Sequence, residues 1–206
     1  MPLDLRDLLD PSHTAVITME MQRGVCGDLA SIQVLSDAVT SAGAAATVGS
    51  LLASARAAGV TVVHCTYELR ADRAGTRLNS PMMRAMARNP SHLLVGSPAT
   101  QLLPELGPEP SDLFSVRRHG FSPFIGTDLD AQLRNQGVTT VVVTGVSLNL
   151  GVPGTVIEAV NSGYDVVVPR EAVVGTDPDF SEGVLRNTIA LIANVVTVAD
   201  VVGAWS

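Results

Sequence analysis

The sequence predicts an α/β fold: six strands in a mostly parallel, doubly wound sheet, arranged as three layers with helices on both faces. Three observations predict it. Apolar β-rich runs alternate along the chain with segments of helical period, which demands right-handed crossovers and therefore parallel pairing. Thr140 to Val160, TVVVTGVSLNLGVPGTVIEAV, passes from a buried strand through a tight loop straight into a helix. Gly59, Gly137 and Gly163 each stop a helical pattern just before the next strand begins.

Taken in order, Thr14 to Met21 (TAVITMEM) reads as the first strand. Its apolar run is broken by Glu20 just before Gln22 and a flexible GVCGD turn, which puts an acid at the strand's carboxyl end. Residues 31 to 58 are Ala-rich, with Leu35, Val39, Ala42 and Ala46 near helical spacing, and read as the first crossover helix. Val60 to Tyr67 is the second strand. After it, Arg70, Arg73, Arg77, Arg84 and Arg88 lie among Gly, Asn and Pro, the composition of a loop with a short helix. Asn89 to Pro110 has no sustained period and reads as a surface excursion.

Asp112 to Arg118 supplies the third strand, and Thr127 with Asp130 three residues on resembles a capping box opening a helix through Leu129 and Leu133. In the organising segment Val141 to Val143 are unalternated, as in a central strand covered on both faces, and Pro153 fits only a helix's first turn. Tyr164 to Val174, Phe180 to Ala193 and Val195 to Val198 complete the pattern as strand, helix and strand. The helix carrying Val152, Val156, Ile157 and Val160 has more apolar surface than one sheet contact needs, so a homo-oligomer is expected.

In an open sheet of this kind ligands bind beyond the carboxyl ends of the strands, where strand order reverses. If strands one and four are neighbours, this joins the Glu20 loop to the loop from Ser147 to Gly151. The N-H groups at the helix start there attract a carboxylate or a developing oxyanion, although a plain βα connection offers the same geometry.

At 206 residues and 46% hydrophobic content, one domain covering 1-206 is expected. A formal charge of -7 with 3% aromatics argues against a nucleic-acid partner. The acidic start MPLDLRDLLDP lacks the features of a signal peptide and no apolar run reaches spanning length, so no membrane partner and a cytoplasmic location are expected. Cys26 and Cys65 sit in no CxxC or ligand cluster and read as reduced, incidental thiols, with a displaced nucleophile as the sharper alternative. His13, His64, His92 and His119 show no ligand spacing, and GVSLNLG is not a dinucleotide fingerprint; neither a metal nor a cofactor is expected.

Three stretches carry a family likeness. TAVITMEMQ is similar to an apolar strand ending in Asp-x-Gln; RRHGFSPFIGTDLDAQL is similar to Lys-x-x-Tyr-Ser-x-Phe-x-Gly-Thr-x-Leu; VVVTGVSLNLGVPGTVIEAV parallels Gly-Val-x-Thr-x-x-Cys-Val-x-x-Thr. In that order they resemble the isochorismatase-like, or cysteine hydrolase, superfamily along nearly the whole chain. The resemblance implies strand order 3-2-1-4-5-6, a site between strands one and four, a cis peptide between Val146 and Ser147, and dimers or tetramers.

Family members typically hydrolyse amides with a Cys nucleophile, an Asp base and a charge-stabilising Lys, and all three positions differ here. Glu20 stands at the acid position and Gly151 at the nucleophile position; Arg118 best matches the Lys, with Arg117 the alternative register. Without a thiol at Gly151 no thioester forms at that point. Members that cleave the vinyl ether of isochorismate or its amino analogue resemble this chain in having Gly there, and rely on a protonated carboxyl group. An adjacent Arg would favour carboxylate instead, so Arg118 is expected to hold an anionic substrate.

The candidate catalytic positions are thus Glu20, Arg118 and Gly151, with Gln22, Arg117, His119, Phe121, Ser147 and Asn149 as candidate substrate-binding residues. The bland readings are a structural carboxylate for Glu20, solvated charges for the arginine pair and an exposed loop side chain for His119. The expected function is small-molecule hydrolysis without a Cys nucleophile, on a carboxylated vinyl ether or a C-N substrate. The alternative is a catalytically inactive binding or assembly protein of the same fold.

Overall fold

A computed structural model describes residues 4–89 and 92–206. A short helix α1 (Leu5–Leu8) leads into β1 (Thr14–Met19), which is buried along its whole length. After α2 (Arg23–Cys26) the Ala-rich segment forms two helices, α3 (Gln33–Ser41) and α4 (Ala44–Ala57), not the single helix its composition suggested. The break falls at Gly43, whose φ of 61° is left-handed and ends the first helix. β2 (Thr61–Tyr67) and α5 (Pro81–Ala87) follow, and α5 is capped by the Ser80 hydroxyl accepting from Met83 N-H at 3.1 Å. The excursion carries 3-10 turns at Pro98–Thr100 and Pro104–Leu106; its residues 90 and 91 lie outside the described residues.

β3 (Leu113–Arg117) leads to α6 (Leu129–Asn135), where the expected capping box does not form. Thr127 Oγ1 accepts from Leu129 N-H at 3.2 Å, but Asp130 turns away to Arg134 and to the Tyr164 hydroxyl, which donates to it at 2.8 Å. β4 (Thr140–Val146) runs into α7 (Gly151–Asn161) with Pro153 in the first turn, as its missing N-H requires. The expected fifth strand divides into β5 (Asp165–Pro169) and β6 (Val173–Val174), because a 3-10 turn at Arg170–Ala172 interrupts it. α8 (Pro178–Asn187) is shorter than its apolar pattern, and β7 (Asn194–Val196) ends where a helix absent from the sequence reading begins. That helix, α9 (Val198–Ala204), opens with the chain's true capping box, Thr197 and Asp200.

All pairings in the sheet are parallel, in the order β3-β2-β1-β4-β5-β7, and β6 pairs with the carboxyl end of β4. Strand alternation splits the core into two layers. Val16, Val142 and Val146 face Val48, Leu51 and Leu52 of α4, while Ile17, Val141 and Val143 face Leu129 of α6 and Val152 and Val156 of α7. On α7 the expected apolar surplus narrows to Ile157, which stays exposed, beside Leu150 just ahead of the helix. No single described helix is long and apolar enough to cross a membrane.

β1 and β4 approach so closely at their carboxyl ends that Gly145, with φ of 100°, has no room for a side chain against the Met19 carbonyl. One layer over, a buried polar chain links three elements. Thr18 Oγ1 lies 2.8 Å from His64 Nδ1, His64 Nε2 lies 3.1 Å from Asp112, and Arg56 donates twice to Asp112 at 3.0 and 2.7 Å. Burial lowers the proton affinity of His64 from its ordinary value more than the Asp112 bond raises it.

A histidine with a depressed folded pKa binds fewer protons folded than unfolded as pH falls through its ordinary value of 6.5, so its contribution to stability is lost in acid. His92, also buried and shifted the same way, adds to the slope. Urea unfolding is expected to show stability falling between about pH 7 and 5 by up to about 1.4 kcal/mol per pH unit for each such histidine, and His64→Gln is expected to flatten that slope. An unchanged slope in the variant would assign the pH dependence elsewhere.

Candidate functional site

Four neighbouring strands end at one cleft. Glu20 follows β1, Tyr67 closes β2, Arg117 closes β3 and Ser147 follows β4, and all four line a cleft whose cavity volume is about 80 Å³ and which opens to solvent. Its mouth lies where strand order reverses between β1 and β4.

Glu20 adopts a left-handed backbone, with φ of 51°; its N-H donates to the Cys65 carbonyl at 2.9 Å and its carbonyl accepts from Gln22 N-H at 2.8 Å. The turn aims its carboxylate at Arg117, whose Nη2 donates to Oε1 in a short ion pair. Arg117 is 3% exposed. Its Nε donates to the Gly120 carbonyl at 3.1 Å, its guanidinium stands 4.9 Å from the Tyr67 ring centroid, and Nη1 lies 3.9 Å from Met19 Sδ.

Of the two adjacent arginines it is Arg117, the alternative register, that lines the cleft. On β3, Ser115 and Arg117 are buried while Phe114 and Val116 are exposed, so Arg118 emerges on the other side and pairs with Glu68 at 2.7 Å. The anion-holding role expected of Arg118 has no geometric support, since its side chain is about half exposed and does not line the cleft.

Phe121, Ser147 and Gly151 line the cleft with Glu20 and Arg117; Gln22, His119 and Asn149 do not. Gln22 is fully buried as a brace: its amide donates to the Tyr67 and Thr100 carbonyls at 3.0 and 2.9 Å and accepts from Tyr67 N-H at 2.7 Å. Asn149 ties its loop to Thr176, donating at 2.9 Å and accepting at 3.0 Å. His119 Nδ1 accepts from Arg77 N-H at 3.3 Å. Each serves a loop rather than the cleft.

The sequence reading missed Tyr67, Ser31 and His92. Tyr67 had a signal, its place at a strand's carboxyl end; Ser31, included in the expected crossover helix, falls in the loop before α3, and His92 sits in an aperiodic loop, so neither carried one. His92 is buried, with Nδ1 3.2 Å from Ser31 Oγ, and burial, reinforced by the charge of Arg73, lowers its proton affinity. Leu93, next to it, has a φ of 47°. Of the three non-glycine residues with positive φ among the described residues, Glu20 and Leu93 both line this cleft, the kind of place where strained backbone concentrates.

The Val146–Ser147 peptide is cis. Gly151 N-H is among the first N-H groups of α7 and has no intrahelical acceptor, so it remains available to an oxyanion. A side chain at Gly151 would begin 3.0 Å from Met19 Cε and from the Val146 carbonyl oxygen, so Met19 crowds the space a nucleophile's side chain would need. Neither cysteine replaces it. Cys26 and Cys65 are buried and outside the cleft, and burial pushes each thiol up to about 12. Among the described residues no three His, Cys, Asp or Glu side chains gather as a metal site.

A family model, the isochorismatase domain, matches residues 14–200. The chain is 28% identical to an uncharacterized isochorismatase family protein, YecD, of Escherichia coli O157:H7, over 95% of this chain and 98% of that one. It is 26% identical to the ureidoacrylate amidohydrolase RutB of Agrobacterium fabrum, over 96% and 92% of the two chains. Its fold superposes on a cysteine hydrolase from Pseudomonas syringae pv. phaseolicola with a TM-score of 0.80 at 25% identity, covering 100% of this chain and 95% of that one. With the sheet order and a cleft at its switch point described, this match over most of the length leads to one conclusion: the chain belongs to the isochorismatase family.

Proposed function

We propose that the protein is a small-molecule hydrolase that cleaves a C-N bond without a covalent enzyme intermediate, with Glu20 as the group that moves the proton. The carrying observation is the Glu20 carboxylate held in the cleft by Arg117 beside the N-terminus of α7. A guanidinium in contact suits a carboxylate that accepts protons, which favours base-assisted attack over the proton donation that vinyl ether cleavage needs. The amidohydrolase activity named for RutB supports the same choice of bond.

In this reading Glu20 takes a proton from a water molecule as the water oxygen bonds to the carbonyl carbon. The carbonyl electron pair moves onto oxygen and is stabilised by Gly151 N-H at the positive end of α7. As the tetrahedral species collapses, the C-N bond breaks and the proton held by Glu20 passes to the leaving nitrogen. Tyr67 and Arg117 position the carboxylate; neither exchanges a proton. A binding or assembly role is the second reading, favoured by the crowding of Met19 against Gly151, and it predicts ligand binding without turnover.

A screen of small amides, ureas and carboxylated vinyl ethers, with wild type beside Glu20→Gln, tests the proposal. Turnover of a C-N substrate is expected to fall about a hundred- to ten-thousand-fold in the variant with KM little changed. The variant also leaves Arg117 without its counter-charge, costing roughly 3 kcal/mol of stability, so rates must be taken on the folded fraction. Undiminished turnover would remove Glu20 from the chemistry.

Thiol chemistry gives a separate check. Gly151→Cys alone is expected to react sluggishly with a disulfide reagent because Met19 crowds the new side chain, and Gly151→Cys combined with Met19→Ala is expected to react at least about tenfold faster. Equal rates would mean that Met19 does not crowd this position.

A further inference from the structure

We propose that the cleft takes an uncharged amide or urea with an apolar substituent, Leu35, Met86 and Leu93 packing the substituent and His92 Nε2 hydrogen-bonding a polar atom at its far end. This inference rests on the site reading above and adds the class of substrate. Three observations converge on it.

The first is charge. Among the described residues lining the cleft, the fully charged side chains are Glu20 and Arg117, and they neutralise one another. Arg117 is further engaged by the Gly120 carbonyl and the Tyr67 ring, so no unpaired cation among these residues awaits a substrate carboxylate. Arg118, which the family likeness offered for that task, is held outside by Glu68. Among the lining residues an anion entering this cleft would find no free counter-charge; Arg73, whose charge reaches His92, stands outside that lining.

The second is the wall. Leu35 comes from α3, Met86 from α5 and Leu93 from the loop after α5, so three separate elements present apolar side chains to one space. The methionine adapts its shape to the guest at little cost.

The third is His92. It is 7% exposed, and Ser31, another lining residue, fixes its Nδ1 at 3.2 Å. No protein group among the described residues takes Nε2. The neighbouring backbone is held rigidly, since Leu69 N-H donates to the Leu93 carbonyl at 2.8 Å and Val95 N-H donates to the Leu69 carbonyl at 3.0 Å. With its proton affinity lowered by burial, the imidazole is a neutral hydrogen-bonding group rather than a cation. A neutral hydrogen-bonding group in the same cleft as a neutralised ion pair suits a neutral guest.

Calorimetric titration with three matched primary amides tests this: hexanamide, 6-hydroxyhexanamide and the monoamide of adipic acid. Wild type is expected to bind the first two at least about tenfold more tightly than the carboxylate. His92→Phe is expected to weaken 6-hydroxyhexanamide about two- to tenfold while hexanamide stays within about twofold. Ser31→Ala, which frees the ring but keeps Nε2, is expected to weaken the same ligand by less, and it serves as the second variant where His92→Phe does not fold. The inference is overturned by tighter or equal binding of the carboxylate, by a loss common to both neutral amides in His92→Phe, or by binding of none of the three. Binding of the neutral amides with no turnover of any C-N substrate would sink the hydrolase reading and leave this one intact. Turnover of the adipic monoamide that collapses in Glu20→Gln would do the reverse.

Discussion

The cleft depends on one ion pair that spans three strands. Arg117 starts at the end of edge strand β3, crosses the Tyr67 ring at the end of β2 and reaches Glu20 beyond the end of β1. A guanidinium this deeply buried is tolerable only where its donors and its charge are both answered, and here a carbonyl, an aromatic face and a carboxylate do so. The same contact orients the carboxylate and seals the sheet's end. Losing either partner would leave the other charge uncompensated, so the pair couples stability to whatever chemistry Glu20 performs.

A second constraint is the closeness of β1 and β4. Their contact puts Met19 beside Gly145 and Gly151, and the thioether fills space that a side chain at Gly151 would otherwise claim. Glu20 meets Arg117, while a side chain at Gly151 would press on Met19, the last residue of the strand that Glu20 follows.

The chain also holds a serine-protease-like sequence of contacts that does something else. Thr18, His64 and Asp112 line up hydroxyl to imidazole to carboxylate, yet all three are buried within the sheet and Arg56 closes the far end. Burial opposes ionisation of Asp112, and bonds from Arg56, Glu109 N-H and His64 more than offset it, so its carboxyl lies below its ordinary range. Without access for a substrate this is a brace tying β1 and β2 to α4. Accessibility, not the order of residue types, separates it from His92 and Glu20.

The amino-acid sequence by itself determined the sheet, the crossovers and the end of the sheet at which the cleft opens. Periods of two and 3.6 and the position of Glu20 after an apolar run are local signals, and parallel pairing follows from connection length. The likeness to the family pointed at Glu20, Ser147 and Gly151 for the same reason, since each sits at a fixed offset from a strand or helix end. What only the tertiary structure decided is which of two adjacent arginines turns inward, because strand alternation inverts everything with a one-residue shift. Tertiary structure also decided that Gln22 and Asn149 brace loops, and that Ser31 and His92, 61 positions apart in sequence, meet in the wall of the cleft. Such pairings are made by aperiodic loops whose course is set by packing against the rest of the fold, and no local pattern of residues encodes them.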